Sequence, residues 1–338
     1  MPFDLHTHSF VSDGTEAPAA VVRAAASVGL TGLALTDHDT TAGWDEAAAA
    51  ARRVGVSLVP GMEVSCVSST GISVHLLSYL QDPAAPGLLE EIERSRLSRV
   101  TRAQRMVERL TEDFPITWET VMEHSSPGAT IGRPHIADAL VSVGAVPTRS
   151  DAFAHILTTR SKYYVSHYAP DPVHAVRLVR EAGGVPVFAH PAAQMRGRVV
   201  GPEVFEEMIE AGLAGVEVYH RDNPDDGRRW LLDLADRYGL LVTGSSDYHG
   251  TGKPNAMGEN TTPDEVVERI AEMATGAEII RPEEDLRSAE LCVRKALAHD
   301  LQRLRVAVHQ DVLPAQLLGR GAQGSGAGEE VQHPVARA

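Results

Sequence analysis

Short β-rich runs alternate with alanine-rich helical stretches over much of this 338-residue chain, and this rhythm limits the fold more than any other feature. Strands and helices that alternate along a chain predict parallel βαβ units, in which helices cover a mostly parallel sheet. Seven strands are predicted, at 3–8, 32–38, 56–63, 72–77, 185–190, 215–220 and 240–247. Helices are predicted after most of them, for example over 17–28, 43–53, 203–212 and 227–238. The expected fold class is therefore α/β.

The rhythm stops between residues 83 and 162. Apolar residues between 88 and 110 recur at roughly helical spacing, and the Pro- and Gly-containing segment 126–134 interrupts the pattern. We interpret 83–162 as a helical insert that divides one α/β body. Near the end of the chain, 283–318 is predicted to be a helical extension. The Gly-rich stretch 319–338 has too few apolar residues to fold and is expected to be disordered.

Six arginines lie in the first part of the insert, at positions 94, 96, 99, 102, 105 and 109. Glutamates at 90, 91, 93 and 108 are close enough in sequence to pair with them on one helix. A solvated helix face is therefore the expected arrangement. If one or two of the arginines turn toward the rest of the molecule instead, they would attract an anionic ligand toward it.

The chain has 31 basic and 46 acidic side chains, a formal net charge of −15 with neutral histidines. This charge disfavours a scaffold that holds nucleic acid by bulk positive charge, but not a small phosphorylated substrate. No apolar run approaches the roughly 18 residues of a transmembrane helix, and the amino terminus has no signal-peptide pattern. We therefore expect a soluble cytoplasmic protein with no membrane contact and no obligate protein partner. The two cysteines, Cys66 and Cys292, predict neither a disulfide framework nor a cysteine zinc site.

Side chains that bind metals lie at or just after the ends of most predicted strands. The nine residues are His6, His8, Asp13, His38, Glu63, His75, His190, Asp247 and His249, of which Asp13 lies in the loop after the first strand and His75 lies within the fourth strand. In a parallel α/β barrel, the carboxyl ends of all strands meet at one face, where active sites are built. The remaining histidines follow no strand end and are expected to be structural or exposed: His124, His155, His167, His174, His299 and His309.

The number and types of these nine residues predict more than one metal ion. Six histidines and three carboxylates exceed the needs of one tetrahedral zinc ion, but they suit two or three divalent ions with bridging carboxylates. Glu63 and Asp247 are the best candidates for the bridges.

Eight of these nine residues, all except His75, occur in short motifs that together resemble those of one enzyme family. The motifs are His6-Thr7-His8 with Asp13, Thr36-Asp37-His38-Asp39, Gly61-Met62-Glu63, Ala189-His190-Pro191 and Gly244-Ser245-Ser246-Asp247-Tyr248-His249-Gly250. As a set, they resemble the PHP (polymerase and histidinol phosphatase) family of metal-dependent phosphoesterases. Ile131-Gly132-Arg133-Pro134-His135-Ile136-Ala137 is similar to the segment typical of the branch with nucleoside 3′,5′-bisphosphate phosphatases and 5′→3′ exoribonucleases.

This resemblance implies a fold and a set of cofactors. The fold would be a distorted (β/α)7 barrel made from 1–82 and 163–282, with the insert 83–162 as a substrate-binding cap. The cofactors would be two or three divalent ions of Mn, Zn or Fe. The family pattern would place His6, His8, Glu63 and Asp247 around one ion, Glu63, His75 and His190 around a second, and Asp13, His38 and His249 around a third.

The resemblance also implies an activity. A hydroxide that bridges the metal ions would attack phosphorus and hydrolyse a phosphate monoester of a nucleoside 3′,5′-bisphosphate. Trimming of short RNA from its 5′ end would be a second activity. The residues expected in catalysis are Asp247, His190, Arg133 and His135. Those expected to contact substrate are Arg133, His135, Lys162 and His220, since the planar fork of arginine suits phosphate.

The sequence departs from the family at two places that would contact substrate. His220-Arg221-Asp222-Asn223 stands where relatives often have a second histidine, and Ala192-Ala193-Gln194-Met195-Arg196 lacks their early arginine. The resemblance therefore defines the chemistry better than the substrate.

Two other functions remain open. One is hydrolysis of histidinol phosphate or another small phosphate ester, which the insert disfavours. The other is a degenerate PHP domain that binds nucleic acid or regulates a partner without catalysis. Because all nine ligand positions are filled, the sequence favours an enzyme.

Overall fold

The computed structural model describes residues 2–125, 129–194 and 197–282, and one eight-stranded sheet forms their framework. The strands are β1 (Pro2–Thr7), β2 (Gly32–Leu35), β3 (Ser57–Val67), β4 (Ser73–Tyr79), β5 (Val185–Phe188), β6 (Gly215–Tyr219), β7 (Leu241–Gly244) and β8 (Thr262–Pro263). All seven predicted strands are present, and the two-residue β8 is an addition to them.

The sheet has the order β7-β6-β5-β4-β3-β2-β1-β8, and its two edges approach each other. A parallel bridge joins Thr7 of β1 to Tyr248, just after β7. The hydroxyl of Thr262 in β8 donates to the carbonyl of Gly244 at 2.9 Å and accepts from its amide at 3.0 Å. The sheet is therefore a nearly closed barrel, which confirms the expected distorted α/β barrel.

The direction of the strands corrects the prediction of uniformly parallel units. β1, β2 and β3 are parallel, and so are β5, β6 and β7. β4 runs antiparallel to both β3 and β5. The turn between β3 and β4 is too short for the crossover that a parallel connection needs. As a result, the first residues of β4, not its last, lie beside the carboxyl end of the parallel strands.

Ten helices and one π-helical turn, Ala152–Ile156, are present in the described residues. They are α1 (Pro18–Ser27), α2 (Trp44–Val54), α3 (Pro86–Leu110), α4 (Trp118–Met122), α5 (Arg133–Ser142), α6 (Arg149–Asp151), α7 (Pro172–Glu181), α8 (Pro202–Glu210), α9 (Asp225–Tyr238) and α10 (Asp264–Met273). Gly55 and Gly239 end α2 and α9 at φ 76° and 67°, a region that glycine adopts without steric cost. None of these described helices is long and apolar enough to cross a membrane.

The barrel has a core to which successive strands contribute. One fully buried side chain from each of β1 to β5 belongs to it: Leu5, Ala34, Val59, Leu77 and Val187. The hydroxyl of Tyr79 donates to the carbonyl of Leu5 at 2.9 Å and so links β4 to β1 across this core. Burial of one leucine or valine side chain contributes about 1.5–3 kcal/mol. This core fixes the strands whose ends carry the polar residues.

The insert helices have a hydrophobic core of their own. Met106 and Leu110 of α3 pack with Ile136 and Leu140 of α5 and with Leu157. The division of the chain into a barrel and a cap stays a prediction. The predicted helical extension, 283–318, and the predicted disordered tail, 319–338, lie outside the described residues.

Candidate metal centre

The structure brings all nine predicted histidine and carboxylate residues together at one end of the barrel. Ligand atoms of His6, His8, Glu63 and Asp247 lie within 4.8 Å of one another, as do those of His8, Asp13 and His38 and those of His38, Glu63 and His75. His190 and His249 join the cluster through contacts with Glu63 and Asp13, at 3.2 and 3.1 Å. The grouping overlaps the family pattern, although His8 lies beside Asp13 and His38 as well as beside Glu63.

Glu63 lies at the middle of the cluster and is 1% exposed. Its two oxygens face imidazole nitrogens of His6, His8, His38, His75 and His190 at 2.8–3.3 Å. Burial raises the pKa of a carboxyl group, but the surrounding histidines outweigh it and hold the pKa of Glu63 well below its usual range. A carboxylate with imidazoles around both oxygens is arranged as a bridge between cations.

Asp247 and Asp13 lie on either side of His8. Asp247 Oδ1 is 3.4 Å from His8 Nε2 and 3.5 Å from His6 Nε2. Asp13 Oδ1 is 3.7 Å from His8 Nδ1. Burial lowers the pKa of a histidine, but Asp247 and Glu63 outweigh it and raise the pKa of His8 to about 9. The cluster therefore favours positive charge at this position.

Buried nitrogen atoms test whether these residues fit metal ions. Five imidazole nitrogens of the cluster are buried and make no hydrogen bond to the described residues: Nε2 of His6, His8 and His249, and Nδ1 of His38 and His75. Buried polar atoms in proteins are almost always paired. Imidazole and carboxylate together bind Zn, Mn and Fe. The donor set, and imidazole nitrogens that face carboxylate oxygens without hydrogen-bonding them, thus fit divalent ions at this end of the barrel.

A buried carboxylate in β6 orients two of the histidines from behind. Glu217 Oε1 lies 3.1 Å from His6 Nδ1, and its Oε2 accepts a hydrogen bond from the backbone amide of His190 at 2.8 Å. No role was predicted for Glu217 from the sequence. The available signal was a glutamate within an otherwise apolar predicted strand, a position where an ionisable group needs a partner.

Three further buried aspartates hold the loops that carry the cluster. Asp4 accepts from the amides of Ser246 and Gly258 at 3.0 and 2.9 Å, beside the Asp247 loop. Asp37 accepts from the hydroxyls of Ser9 and Ser12, both at 2.6 Å, in the loop that leads to Asp13.

The third of these aspartates, Asp39, joins β3 to the insert. It accepts from the amide of Ser65 at 2.8 Å and pairs with Arg99 Nε at 3.0 Å. Arg99 also donates to the Ser65 hydroxyl. Each of the three aspartates lies within two residues of a predicted metal ligand. This proximity was the available sequence signal that they support the metal centre.

The four residues predicted to contact substrate have different surroundings. Arg133 lies over the rings of Phe153 and Tyr164, at 5.5 and 6.0 Å. His135 is buried, and its Nδ1 accepts from the amide of Gly132 at the start of α5.

The other two differ in their distance from the metal centre. His220 Nε2 is 3.6 Å from Asp247 Oδ2, which places His220 at the cluster. Lys162 is 63% exposed and pairs with Asp113 at 2.6 Å.

The insert contacts the barrel loop that carries Asp13. Arg149 of α6 forms an ion pair with Asp138 of α5 and donates from Nη1 to the carbonyl of Asp13 at 3.1 Å. The amide of Thr130 donates to the carbonyl of Val11 at 3.1 Å. These contacts place the beginning of α5 beside the metal centre.

One of the two places where the sequence departs from the family pattern has a structural role. Asn223 is buried, accepts from the amide of Ala192 at 3.1 Å, and donates to the carbonyls of Glu217 and Val218. It therefore joins the loops after β5 and β6. In the other departure, Met195 and Arg196 lie outside the described residues.

The backbone is strained at two of the predicted ligands. His190 and Asp247 have φ values of 33° and 55°, in the left-handed region that residues with a Cβ rarely adopt. His190 lies two residues after the end of β5 and Asp247 three residues after the end of β7, so the strained turn directs each side chain into the cluster.

Comparison with known proteins gives the family. Residues 4–114 match the model of the PHP domain. The chain is 37% identical over 252 residues to a 3′,5′-nucleoside bisphosphate phosphatase of Chromobacterium violaceum, a match that covers 74% of this chain and 88% of the relative. It is 33% identical over 261 residues to a phosphoribosyl 1,2-cyclic phosphate 1,2-diphosphodiesterase of Eggerthella lenta, covering 73% and 94%.

Two further matches agree. A 5′-3′ exoribonuclease of Haemophilus influenzae is 30% identical over 251 residues, covering 73% of this chain and 89% of the relative. The crystal structure of a proposed metal-dependent phosphoesterase from Bifidobacterium adolescentis superimposes with a TM-score of 0.79 at 46% identity, covering 81% and 96%. The chain belongs to the PHP family of metal-dependent phosphoesterases.

Proposed function

We propose that this chain removes a phosphate group from nucleoside 3′,5′-bisphosphates, using two or three divalent ions of Mn, Zn or Fe held by the nine-residue cluster. The observation that carries the proposal is the convergence, on Glu63, Asp247 and Asp13, of five buried imidazole nitrogens that make no hydrogen bond to the described residues, beside an arginine-bearing insert. The name of the Chromobacterium relative supports this substrate class.

Some side chains would bind the metal ions, and others would orient the side chains that bind them. When bound, the ions would supply Lewis acidity and an activated water for attack on phosphorus. Glu63, Asp247 and Asp13 would hold the ions together with the six histidines. Glu217 would fix the ring orientation of His6, because a hydrogen bond to Nδ1 leaves Nε2 directed at the cluster.

Substrate contacts would come from the insert and from the loop after β6. Arg133 has a guanidinium group that pairs with no carboxylate within the described ranges, and His135 stands two residues later at the same helix start. Both suit the phosphate that is not hydrolysed. His220 would act nearer the reacting phosphate, since it contacts Asp247. Lys162 would have to leave Asp113 to reach a substrate.

A panel of phosphate esters tests the proposal. Metal-loaded protein is incubated with a nucleoside 3′,5′-bisphosphate, histidinol phosphate, a 1,2-cyclic ribose phosphate and 5′-phosphorylated RNA, and phosphate release is measured. We expect the bisphosphate to have the highest kcat/KM. Asp247→Ala should abolish release, whereas Asp233→Ala, which changes an exposed aspartate of α9, should not. Faster turnover of histidinol phosphate or of the cyclic ester would overturn the substrate assignment.

Trimming of short RNA from its 5′ end is the second candidate, favoured by the exoribonuclease relative. The products separate the two activities, because an exonuclease releases mononucleotides whereas a phosphatase releases only inorganic phosphate.

Metal analysis of the purified protein tests the non-catalytic alternative, a degenerate PHP domain. A degenerate domain would retain fewer than two ions per chain.

A further inference from the structure

Helix α3 has an arginine on its buried face, where the other residues are apolar or small. Ser95, Arg102, Ala103 and Met106 form the buried face of the helix, and Arg102 is 5% exposed. An arginine that is buried this deeply normally has a carboxylate partner. Arg102 has none within ion-pair distance in the part of the chain that the structure describes, and its Nε makes no hydrogen bond there.

The partner of Arg102 is a histidine that offers a further donor. Arg102 Nη1 donates to His167 Nδ1 at 3.1 Å. Because Nδ1 accepts, the proton of the neutral ring is on Nε2. Burial and the neighbouring arginines lower the pKa of His167 to about 2, which keeps the ring neutral. His167 Nε2 is buried and makes no hydrogen bond to the described residues.

Two more arginines lie near this pair. Arg99 is neutralised by Asp39. Arg133 donates to the carbonyl of Leu157 at 3.1 Å and lies over the rings of Phe153 and Tyr164. Burial first, and then the charges of Arg99 and Arg133, lower the pKa of Arg102 to about 9. Arg102 and Arg133 therefore form a cationic group without a compensating anion.

This group adjoins the metal centre. Arg99 contacts Asp39, the residue after His38, and donates to Ser65, which pairs with His75 across the β3–β4 hairpin. The segment that carries His167 is held along α3 by Arg109, which donates to the carbonyl of Tyr164 at 2.7 Å, and by Ser98, which accepts from the amide of Tyr168 at 2.8 Å. The unpaired donors thus lie on the His38 and His75 side of the cluster.

We propose that Arg102, His167 and Arg133 form a phosphate-binding pocket beside the metal centre, which holds the phosphate group of the substrate that is not hydrolysed. This inference rests on the proposed function and adds Arg102 and His167 to the substrate contacts. Guanidinium and imidazole N–H groups without acceptors match the acceptor oxygens of a phosphate dianion. A substrate with two phosphate groups would then be preferred over one with a single phosphate.

Titration of the metal-loaded full-length chain with inorganic phosphate tests the pocket directly. We expect two phosphate sites, of which Arg102→Met removes one and Asp247→Ala the other. Arg105→Met is the matched control, since Arg105 lies on the exposed face of the same helix, and it should retain both sites. Retention of two sites by Arg102→Met would overturn the proposal, provided that circular dichroism shows a folded variant.

Kinetics provide the second measurement. Arg102→Met should reduce the ratio of kcat/KM for a bisphosphate to kcat/KM for p-nitrophenyl phosphate by about tenfold or more, the effect of losing charge-assisted hydrogen bonds. Arg102→Lys should restore part of this ratio, because it keeps the charge but not the fork. His167→Phe should lower the ratio, whereas His167→Gln, which keeps a donor, should lower it less. An unchanged ratio in Arg102→Met would contradict the pocket.

The two proposals fail in different ways. If the wild-type chain hydrolyses no bisphosphate yet binds a second phosphate that depends on Arg102, the proposed substrate is wrong and the pocket stands. If bisphosphates are hydrolysed but Arg102→Met changes neither phosphate binding nor the kinetic ratio, the pocket is wrong and the substrate stands.

Discussion

At the scale of single residues, the side chains behind the metal centre are as well defined as those that face it. Glu217 is fully buried and divides its two oxygens between the ring of His6 and the backbone of His190. Burial raises its pKa, but His6 and His220 outweigh that effect and keep the pKa of Glu217 below its usual range. A charged carboxylate at this position transmits its orientation to both ligands.

Replacement of Glu217 by Gln tests this role. Glutamine keeps the size of the side chain but removes its negative charge, so we expect metal affinity to fall by about 10- to 100-fold. The measurement is titration of metal into chelated protein, followed by activity at saturating metal. Glu207→Gln, on the exposed face of α8, is the control. Equal metal affinity in the two variants would show that Glu217 is only a structural residue.

Sequence reasoning found the residues that face the cluster more readily than those behind it. His6, His38 and Asp247 stand at predicted strand ends, where the geometry of a barrel makes them converge. Glu217 instead lies within a strand, and Arg102 lies within a helix. Both occupy positions where the strand alternation or the helical periodicity places a buried side chain. A charged residue in such a pattern does not reveal its partner, because the partner comes from a distant part of the chain.

At the scale of elements, the insert and the barrel meet through α5 and α6. Asp138 and Arg149 form an ion pair between these helices, and Arg149 also donates a hydrogen bond to the carbonyl of Asp13.

The direction of β4 is a second property of the elements. Sequence alternation gives a strand and its two faces, but not its direction relative to its neighbours. The closeness of 56–63 and 72–77 in sequence was the available signal for a hairpin.

Arg149→Met should loosen the Asp13 loop. The variant loses the hydrogen bond to the Asp13 carbonyl, and it leaves the partly buried Asp138 without its counter-ion, at a cost of about 1–3 kcal/mol. We expect a lower metal content at limiting metal and a lower kcat/KM. Asp138→Asn with Arg149→Met separates the two effects, because it removes the unpaired charge without restoring the bond. Full metal content in both variants would show that the insert does not hold Asp13.

Leu140→Ala tests the separate core of the insert. Leu140 is fully buried among Ile136, Met106 and Leu157, so the change should lower the free energy of unfolding by about 2–5 kcal/mol. The measurement is urea denaturation followed by circular dichroism. Because no residue of this core lies in the metal cluster, metal content at low urea should stay unchanged. Loss of metal in the folded variant would mean that the insert core and the centre are coupled.

At the scale of the whole molecule, the sheet closes around a buried group of histidines and carboxylates that fits divalent cations. The barrel is joined at its seam by Thr262 and by the bridge from Thr7 to Tyr248, next to the loop that carries Asp247. The sequence predicted the strands and their polar ends. The resemblance to the PHP family implied the barrel, but the contribution of β8 to its closure was not predicted, because β8 has only two residues and no pattern of its own.

Metal removal should therefore destabilise the entire barrel. Ions that bind the folded chain and not the unfolded one stabilise it by about 2.7 kcal/mol at one hundred times their Kd. We expect chelation to lower Tm by several degrees and to leave a folded protein, with recovery when Mn or Zn is added back. Calorimetry of the same sample before and after chelation provides the measurement. An unchanged Tm would argue that the cluster binds no ion in the folded state.

The left-handed backbone at His190 and Asp247 has an evolutionary consequence. Each such residue costs on the order of 1–3 kcal/mol, which a glycine at the same position would largely recover. In the metal-free chain, stability alone would thus favour loss of these side chains, whereas the metal ions that they help to hold favour their retention. In descendants that have lost the activity, these two positions should be among the first to drift to glycine.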